Sequence, residues 1–239
     1  MIAAAKSSGR LFSVFHNRRW DWDFLTVKRA LETGLIGAPY LIEVSVLRFR
    51  GPRGWRATLD AGGGILYDWG AHLVDHALQL VHEPVIRVDC DIQYRGWGAE
   101  IGSFARIQLE FESGLLYAIE LGNLARVEKP RWYIAGETGA LVKFGLDPQE
   151  AAMLRGDIGA AKEAPEMRAR VTTEVNGLAT EMVLESLTGD WTSYYRNVAD
   201  AILGREEIIV KPEESLRGVA VLNAAAESAR VGVTQVVRI

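Results

Sequence analysis

Residues 62–76 read GGGILYDWGAHLVDH, three glycines followed by an apolar-periodic run that carries two aspartates and two histidines. At about 100° per residue, Asp68, His72, Asp75 and Gln79 fall on one face of a helix. Ile65, Leu66, Trp69, Leu73, Ala77 and Leu80 gather on the other. A titratable stripe therefore runs along an otherwise buried helix. The glycines let the chain turn sharply and let a ligand or another backbone approach the first turn.

Around this helix the pattern alternates between strands and helices. Upstream, Ile2 to Lys6 ends on Ser-Ser-Gly as a short helix, and Leu11 to Phe15 has the apolar run of a buried strand. His16-Asn17-Arg18-Arg19-Trp20 follows at that strand's carboxyl end, where α/β sheets place ligand-contacting loops. A helix is predicted from Trp22 to Thr33 and a strand from Tyr40 to Phe49. Downstream, Val85 to Tyr94 is a strand, and Phe104 to Phe111 with Leu115 to Leu121 makes an antiparallel hairpin. A second hairpin joins Arg131 to Ala135 with Ala140 to Phe144. Residues 147–169 form a polar surface excursion, and Arg170 to Val175 is a last core strand. Helices begin at Asp190 and Pro212, and Val233 to Ile239 closes the chain as a strand. The predicted class is α+β, an open, mostly antiparallel sheet with helices on one face. The other face needs a cover, most simply a second copy, giving a homodimer or tetramer.

Of the 239 residues, 49% are hydrophobic, enough for one substantial core. The 27 basic and 31 acidic residues are interspersed, which argues against a nucleic-acid partner and leaves small molecules or proteins. Cys90 is the single cysteine, so no intrachain disulfide or cysteine-rich metal site exists and a reducing, cytoplasmic setting is expected. The sequence holds no apolar run of membrane-spanning length.

Several residues could carry chemistry. Asp68 and His72, four apart, can meet on a helix surface, where a carboxylate that orients an imidazole makes it a general acid or base. Arg48, Trp55 and Arg56, in the loop before the glycines, could grip a polyol or carboxylate through guanidinium hydrogen bonds and an aromatic face. Asp75 is co-facial with the pair and is a further substrate contact. His72 and His76 have the spacing of two helical metal ligands, but Leu73 stands where the zinc-protease signature needs a Glu directly after the first His. His76 turns toward Trp69 and is expected to pack in the core. No metal site is expected. Neither G-x-G-x-x-G nor G-x-x-x-x-G-K-[ST] occurs.

The GGGILYDWGAHLVDH run, with Trp55 upstream, resembles the second domain of the glucose-fructose oxidoreductase, inositol dehydrogenase and rhizopine catabolism (Gfo/Idh/MocA) family. VFHNRRWDWDFLTVKRALETGLIGAPYLIEVS, YYRNVADAILG and PEESLRGVAVLNAAAESARVG are similar to other parts of it. The resemblance implies a glyceraldehyde-3-phosphate dehydrogenase-like C-terminal domain and an oxidoreductase that moves hydride between NAD or NADP and a sugar, polyol or related hydroxyl. It implies His72 as acid/base, Asp68 beside it at the substrate, and Asn17 and Arg18 near the nicotinamide. By the same resemblance, residues 1–20 are the remnant of a nucleotide-binding domain and 21–239 the substrate-binding and oligomerisation domain. The family's glycine-rich loop and Glu-Lys-Pro lysine would precede Met1, and this chain alone is expected to bind no NAD(P) and to be inactive. Glu128-Lys129-Pro130 spells the tripeptide but falls between sheet strands, so Lys129 is expected in a surface turn. The alternative is a non-redox sugar-binding or dimerising module, or a metal-dependent lyase or hydrolase using His72 and His76.

Overall fold

A computed structural model describes residues 1–98 and 100–239. Nine strands form one sheet: β1 (Pro39–Leu47), β2 (Val85–Gln93), β3 (Phe104–Phe111), β4 (Leu116–Gly122), β5 (Trp132–Gly136), β6 (Gly139–Lys143), β7 (Ala169–Val175), β8 (Leu178–Leu184) and β9 (Gln235–Val236). Their order across the sheet is β8-β7-β6-β5-β1-β4-β3-β2-β9. Every pairing is antiparallel except that of β1 with β4, which run parallel with Val44 opposite Ile119. The helices are α1 (Ile2–Ser8), α2 (Trp22–Glu32), α3 (Ile65–Leu80), α4 (Gln149–Leu154), α5 (Thr192–Ile202) and α6 (Pro212–Val231). The architecture is the predicted α+β layer.

Strand alternation decides which side the helices cover. Ile42, Val44 and Val46 of β1, Tyr117, Ile119 and Leu121 of β4, and Ile107 and Leu109 of β3 share one face and are buried. Helices α2, α3 and α6 lie on that face: Phe24 of α2 stacks on His76 of α3 at 4.1 Å, and Ser228 of α6 accepts the Cys90 amide on β2. The opposite face carries Glu43, Arg87, Arg106, Glu110 and Glu120, tied across strands by pairs such as Arg87 with Glu110.

A buried ionic knot fixes α2 to the sheet. Arg131 donates to Asp23 at 2.8 Å and Trp132 donates its indole N–H to the same carboxylate oxygen at 2.7 Å, with all three side chains buried. Arg131 and its hydrogen bonds hold the Asp23 pKa below the ordinary value despite burial.

Three sequence expectations need correction. Leu11 to Phe15 is no strand: it lies outside the sheet, with Leu11 and Phe15 exposed and Ser13 donating to the Val210 carbonyl. An apolar run becomes a strand only beside a partner, and none lies alongside it among the described residues. β8 escaped the sequence reading, although Asn176-Gly177 announces it. Both have positive φ, 54° and 78°, the mirror-image turn that joins β7 to β8. Residues 147–169 are no mere surface excursion, because Asp147, Gln149 and Ala152 are buried and α4 reaches the cleft described below.

Candidate functional site

The parallel pair places the site. Because β1 and β4 run the same way, their carboxyl ends open on one edge and deliver Arg48 and Asn123 side by side, with the Arg48 amide bonded to the Gly122 carbonyl at 2.8 Å. The first two turns of α3, the loop 50–56, α4 and Arg18 complete a cleft of about 310 Å³. Such a volume suits one small molecule rather than a polymer.

The glycines have separate tasks. Gly64 sits at φ 128°, ψ 150°, a region closed to other residues, and starts α3 at the cleft wall. A Cβ on Gly63 would come within 2.4 Å of the Trp55 carbonyl and 2.7 Å of that of Thr58. Its bareness lets the arginine loop fold against the helix start.

From α3, Ile65, Asp68, Trp69 and His72 line the cleft. His72 is half-buried, and its Nδ1 is buried with no partner among the described residues. Burial, followed by the fields of Arg18, His16, His76 and Arg131, pulls the His72 pKa well below the ordinary imidazole value. The ring is therefore neutral at physiological pH. Asp68 does not orient it. Instead Arg56 donates to Asp68 at 2.9 Å, because a guanidinium in the adjoining loop outcompetes an imidazole that burial keeps uncharged.

The other predicted residues divide. Arg48 and Arg56 line the cleft, whereas Trp55 is exposed outside it with the Arg56 guanidinium 4.6 Å over its ring. Arg18 also lines the cleft. It donates to Asp21 at 3.2 Å and Glu150 at 2.9 Å, and stacks 3.9 Å over Trp69. Asn17 is buried in a 3-10 turn, Asn17–Trp20, and does not line the cleft.

Asp75 is not a cleft residue. It shares a helix face with His72 but lies further along α3, where Arg19 grips both its oxygens at 2.7 and 2.8 Å. Glu214 of α6 takes the other side of Arg19 at 2.8 Å, so the three charges pin the 3-10 turn to α3 and α6. We expect Asp75→Asn to cost about 2 kcal/mol in denaturant unfolding, through loss of a charged acceptor, with no change in ligand affinity at the cleft. Weakened ligand binding at unchanged stability would reverse that assignment.

His76 is fully buried between Phe24 and Trp132, as expected, and its Nε2 donates to the Arg18 carbonyl at 2.8 Å. Burial lowers its pKa to about 4. Among the described residues no three His, Cys, Asp or Glu side chains converge as a metal site. Lys129 is exposed and pairs with Glu120 across the sheet's open face.

The sequence reading missed four participants. Trp69 was assigned to the buried face, yet it supports both Arg18 and Arg48, the latter at 4.7 Å. Glu150, from the supposed surface excursion, closes the cleft over Arg18, with an oxygen 4.0 Å from Arg48. Asn123 arrives by the parallel strand. His16 is buried edge-on to His72 at 6.0 Å, and its position beside Asn17 and Arg18 was the available signal.

Behind the cleft Asp21, Asp23 and Asp147 crowd together. Burial raises Asp21 well above the ordinary carboxylate value, and burial aided by Asp23 raises Asp147 to about 6 against its bonds from the Trp22 and Gln149 amides. A raised folded-state pKa means the native protein holds the proton more tightly than the unfolded chain, whose aspartates titrate near ~3.9. Asp147 therefore adds stability that is complete below its unfolded pKa and is lost as pH rises through about 6. Unfolding free energies at pH 5 and 7 should differ by on the order of 1–2 kcal/mol less in Asp147→Asn than in the parent; an unchanged difference would show that other groups carry it.

Comparison with known proteins supplies the relationship. The GFO/IDH/MocA C-terminal domain model matches residues 24–142. The chain is 34% identical to the uncharacterized oxidoreductase YdgJ of Escherichia coli, with 95% of this chain and 66% of that protein covered. It is 31% identical to the NADP-dependent scyllo-inositol 2-dehydrogenase IolW of Bacillus subtilis, covering 95% and 64%. Among solved structures, the YPO2259 protein of Yersinia pestis, described as an oxidoreductase, superposes with a TM-score of 0.85 at 31% identity, covering 99% of this chain and 67% of that one. The chain thus spans about two thirds of the length of the curated relatives it matches. No helix among the described residues is long and apolar enough to cross a membrane. By this likeness in sequence and fold, the chain belongs to the Gfo/Idh/MocA family.

Proposed function

We propose that this chain forms the substrate-binding part of an NAD(P)-dependent oxidoreductase that interconverts a hydroxyl and a carbonyl on a sugar, polyol or related compound. The observation that carries this reading is a neutral, half-buried His72 in a small cleft crowded with guanidinium groups. Residues 1–20 are the end of a nucleotide-binding domain in this reading, 21–239 are the substrate and oligomerisation domain, and the open sheet face pairs copies.

The residues present fit the reacting end of a dinucleotide, since the buried, unpartnered nitrogens of His16 and His72 lie beside the 16–18 turn at the cleft. Arg18 would hold that end, on a turn anchored by the buried His16 and Asn17. The rest of a dinucleotide finds no G-x-G-x-x-G in this chain. When bound, the nicotinamide supplies the hydride acceptor or donor.

The protein's own residues do the remainder. In the oxidative direction His72 takes the hydroxyl proton, which its neutral state permits. Asp68, held by Arg56, accepts a hydrogen bond from a neighbouring hydroxyl and fixes the ring beside His72. Arg18, braced on Trp69, and Glu150 close the cleft and exclude water.

The test is to incubate the full-length protein that carries this chain with NAD or NADP and a panel of sugars, polyols and sugar acids, following nicotinamide absorbance. Oxidation of at least one panel member, lost in His72→Ala, is the expected result. Substrate turnover without nicotinamide reduction would favour the non-redox alternative.

A further inference from the structure

Resting on the reading of the cleft as the substrate site, its charge distribution specifies the substrate further. Five arginines line the cleft, at 18, 48, 50, 53 and 56, against two carboxylates, Asp68 and Glu150. Those carboxylates are already engaged. Asp68 accepts from Arg56, and Glu150 accepts from Arg18. Arg50 and Arg53 make no ion pair with any described residue, and the nearest carboxylate oxygen to Arg48 is 4.0 Å away. Arg48 is half-buried, and burial together with Arg18 and Arg50 lowers its pKa despite the opposing fields of Glu150 and Asp68.

Like charges concentrated without counter-charges are unfavourable in the free protein and become favourable when an anion enters. A neutral polyol offers only hydroxyl dipoles and would leave Arg50 and Arg53 without a counter-charge and Arg48 with only the Glu150 oxygen at 4.0 Å. A carboxylate or phosphate accepts paired N–H bonds from a guanidinium fork, which is the chemistry arginine serves better than lysine. We propose that the substrate is anionic: a polyhydroxylated compound that carries a carboxylate or phosphate held by Arg48, Arg50 and Arg53, while a hydroxyl at its other end lies at His72.

Direct binding tests this separately from catalysis. The protein would be titrated calorimetrically at low ionic strength with D-gluconate, D-gluconate 6-phosphate and myo-inositol, then again as the Arg50→Gln/Arg53→Gln double variant, whose fold is checked by its melting curve. At least one anion should bind ten-fold or more tightly than myo-inositol, and the anion-to-neutral ratio should fall ten-fold or more in the variant. Added salt should weaken the anion alone. Equal affinity for both anions identifies the carboxylate as the held group, and preference for the phosphorylated one identifies the phosphate. Tighter binding of myo-inositol, no binding of either anion, or an anion affinity indifferent to the double substitution would overturn the proposal. Anion selectivity without any nicotinamide-dependent oxidation by the full-length protein would leave it standing and remove the redox reading instead.

Discussion

Replacing His72 by Ala in the full-length protein is expected to lower the rate of NAD(P)-dependent oxidation by about 10²–10⁴-fold, the usual contribution of a positioned acid or base. Affinity for the dinucleotide should change little, because the imidazole acts on the hydroxyl proton rather than on the cofactor's binding groups. Steady-state kinetics with both substrates varied separates the two effects. A parallel loss of cofactor affinity would make His72 a packing residue of the cleft. The pH profile gives an independent reading. Burial and four neighbouring cationic or ionisable groups lower the His72 pKa well below the ordinary imidazole value of 6.5. Its base form therefore persists as pH falls through 6.5, and the acid limb of kcat/KM for oxidation should lie below that point. A limb at or above 6.5 would assign the titration to another group.

Asp23→Ala should be strongly destabilising, costing about 3–5 kcal/mol. Among the described residues Asp23 is the only acceptor the Arg131 guanidinium has besides the Ser45 carbonyl, and it also satisfies the Trp132 indole. Its removal strands a buried cation and a buried N–H together. Guanidinium titration of both proteins, with unchanged slope and a lower midpoint, would show the effect. A loss below about 1 kcal/mol would mean that water enters to solvate Arg131. Because Asp23 belongs to α2 and Arg131 precedes β5, the same change should loosen the helix that backs His76.

Much of this molecule follows from local pattern. The period-two alternation of Ile107, Leu109 and Phe111 suffices for β3, since each alternate side chain must reach one face. The 3.6-residue period of the stretch 65–80 suffices for α3, and the three glycines before it announce a tight approach that Gly63 and Gly64 do make. The spacing of Asp68 and His72 brings both to the cleft, as helical geometry requires.

Partners distant in sequence lay beyond that reach. The stripe of Asp68, His72 and Asp75 is one chemical face in the sequence, yet Asp68 is taken by Arg56 and Asp75 by Arg19. A helix wheel gives the direction of a side chain, whereas its partner is set by whichever element packs there. Glu150 and Asn123 reached the site by the same route, through the helix α4 folded back and a strand paired in parallel. The sequence by itself determined the elements, the apolar core and the helix that carries His72, because burial acts on periodicity that neighbouring residues already contain. Only the tertiary structure decided which charges neutralise one another and which remain for a ligand, because an ion pair is a matter of a few ångströms between segments that the chain order keeps far apart.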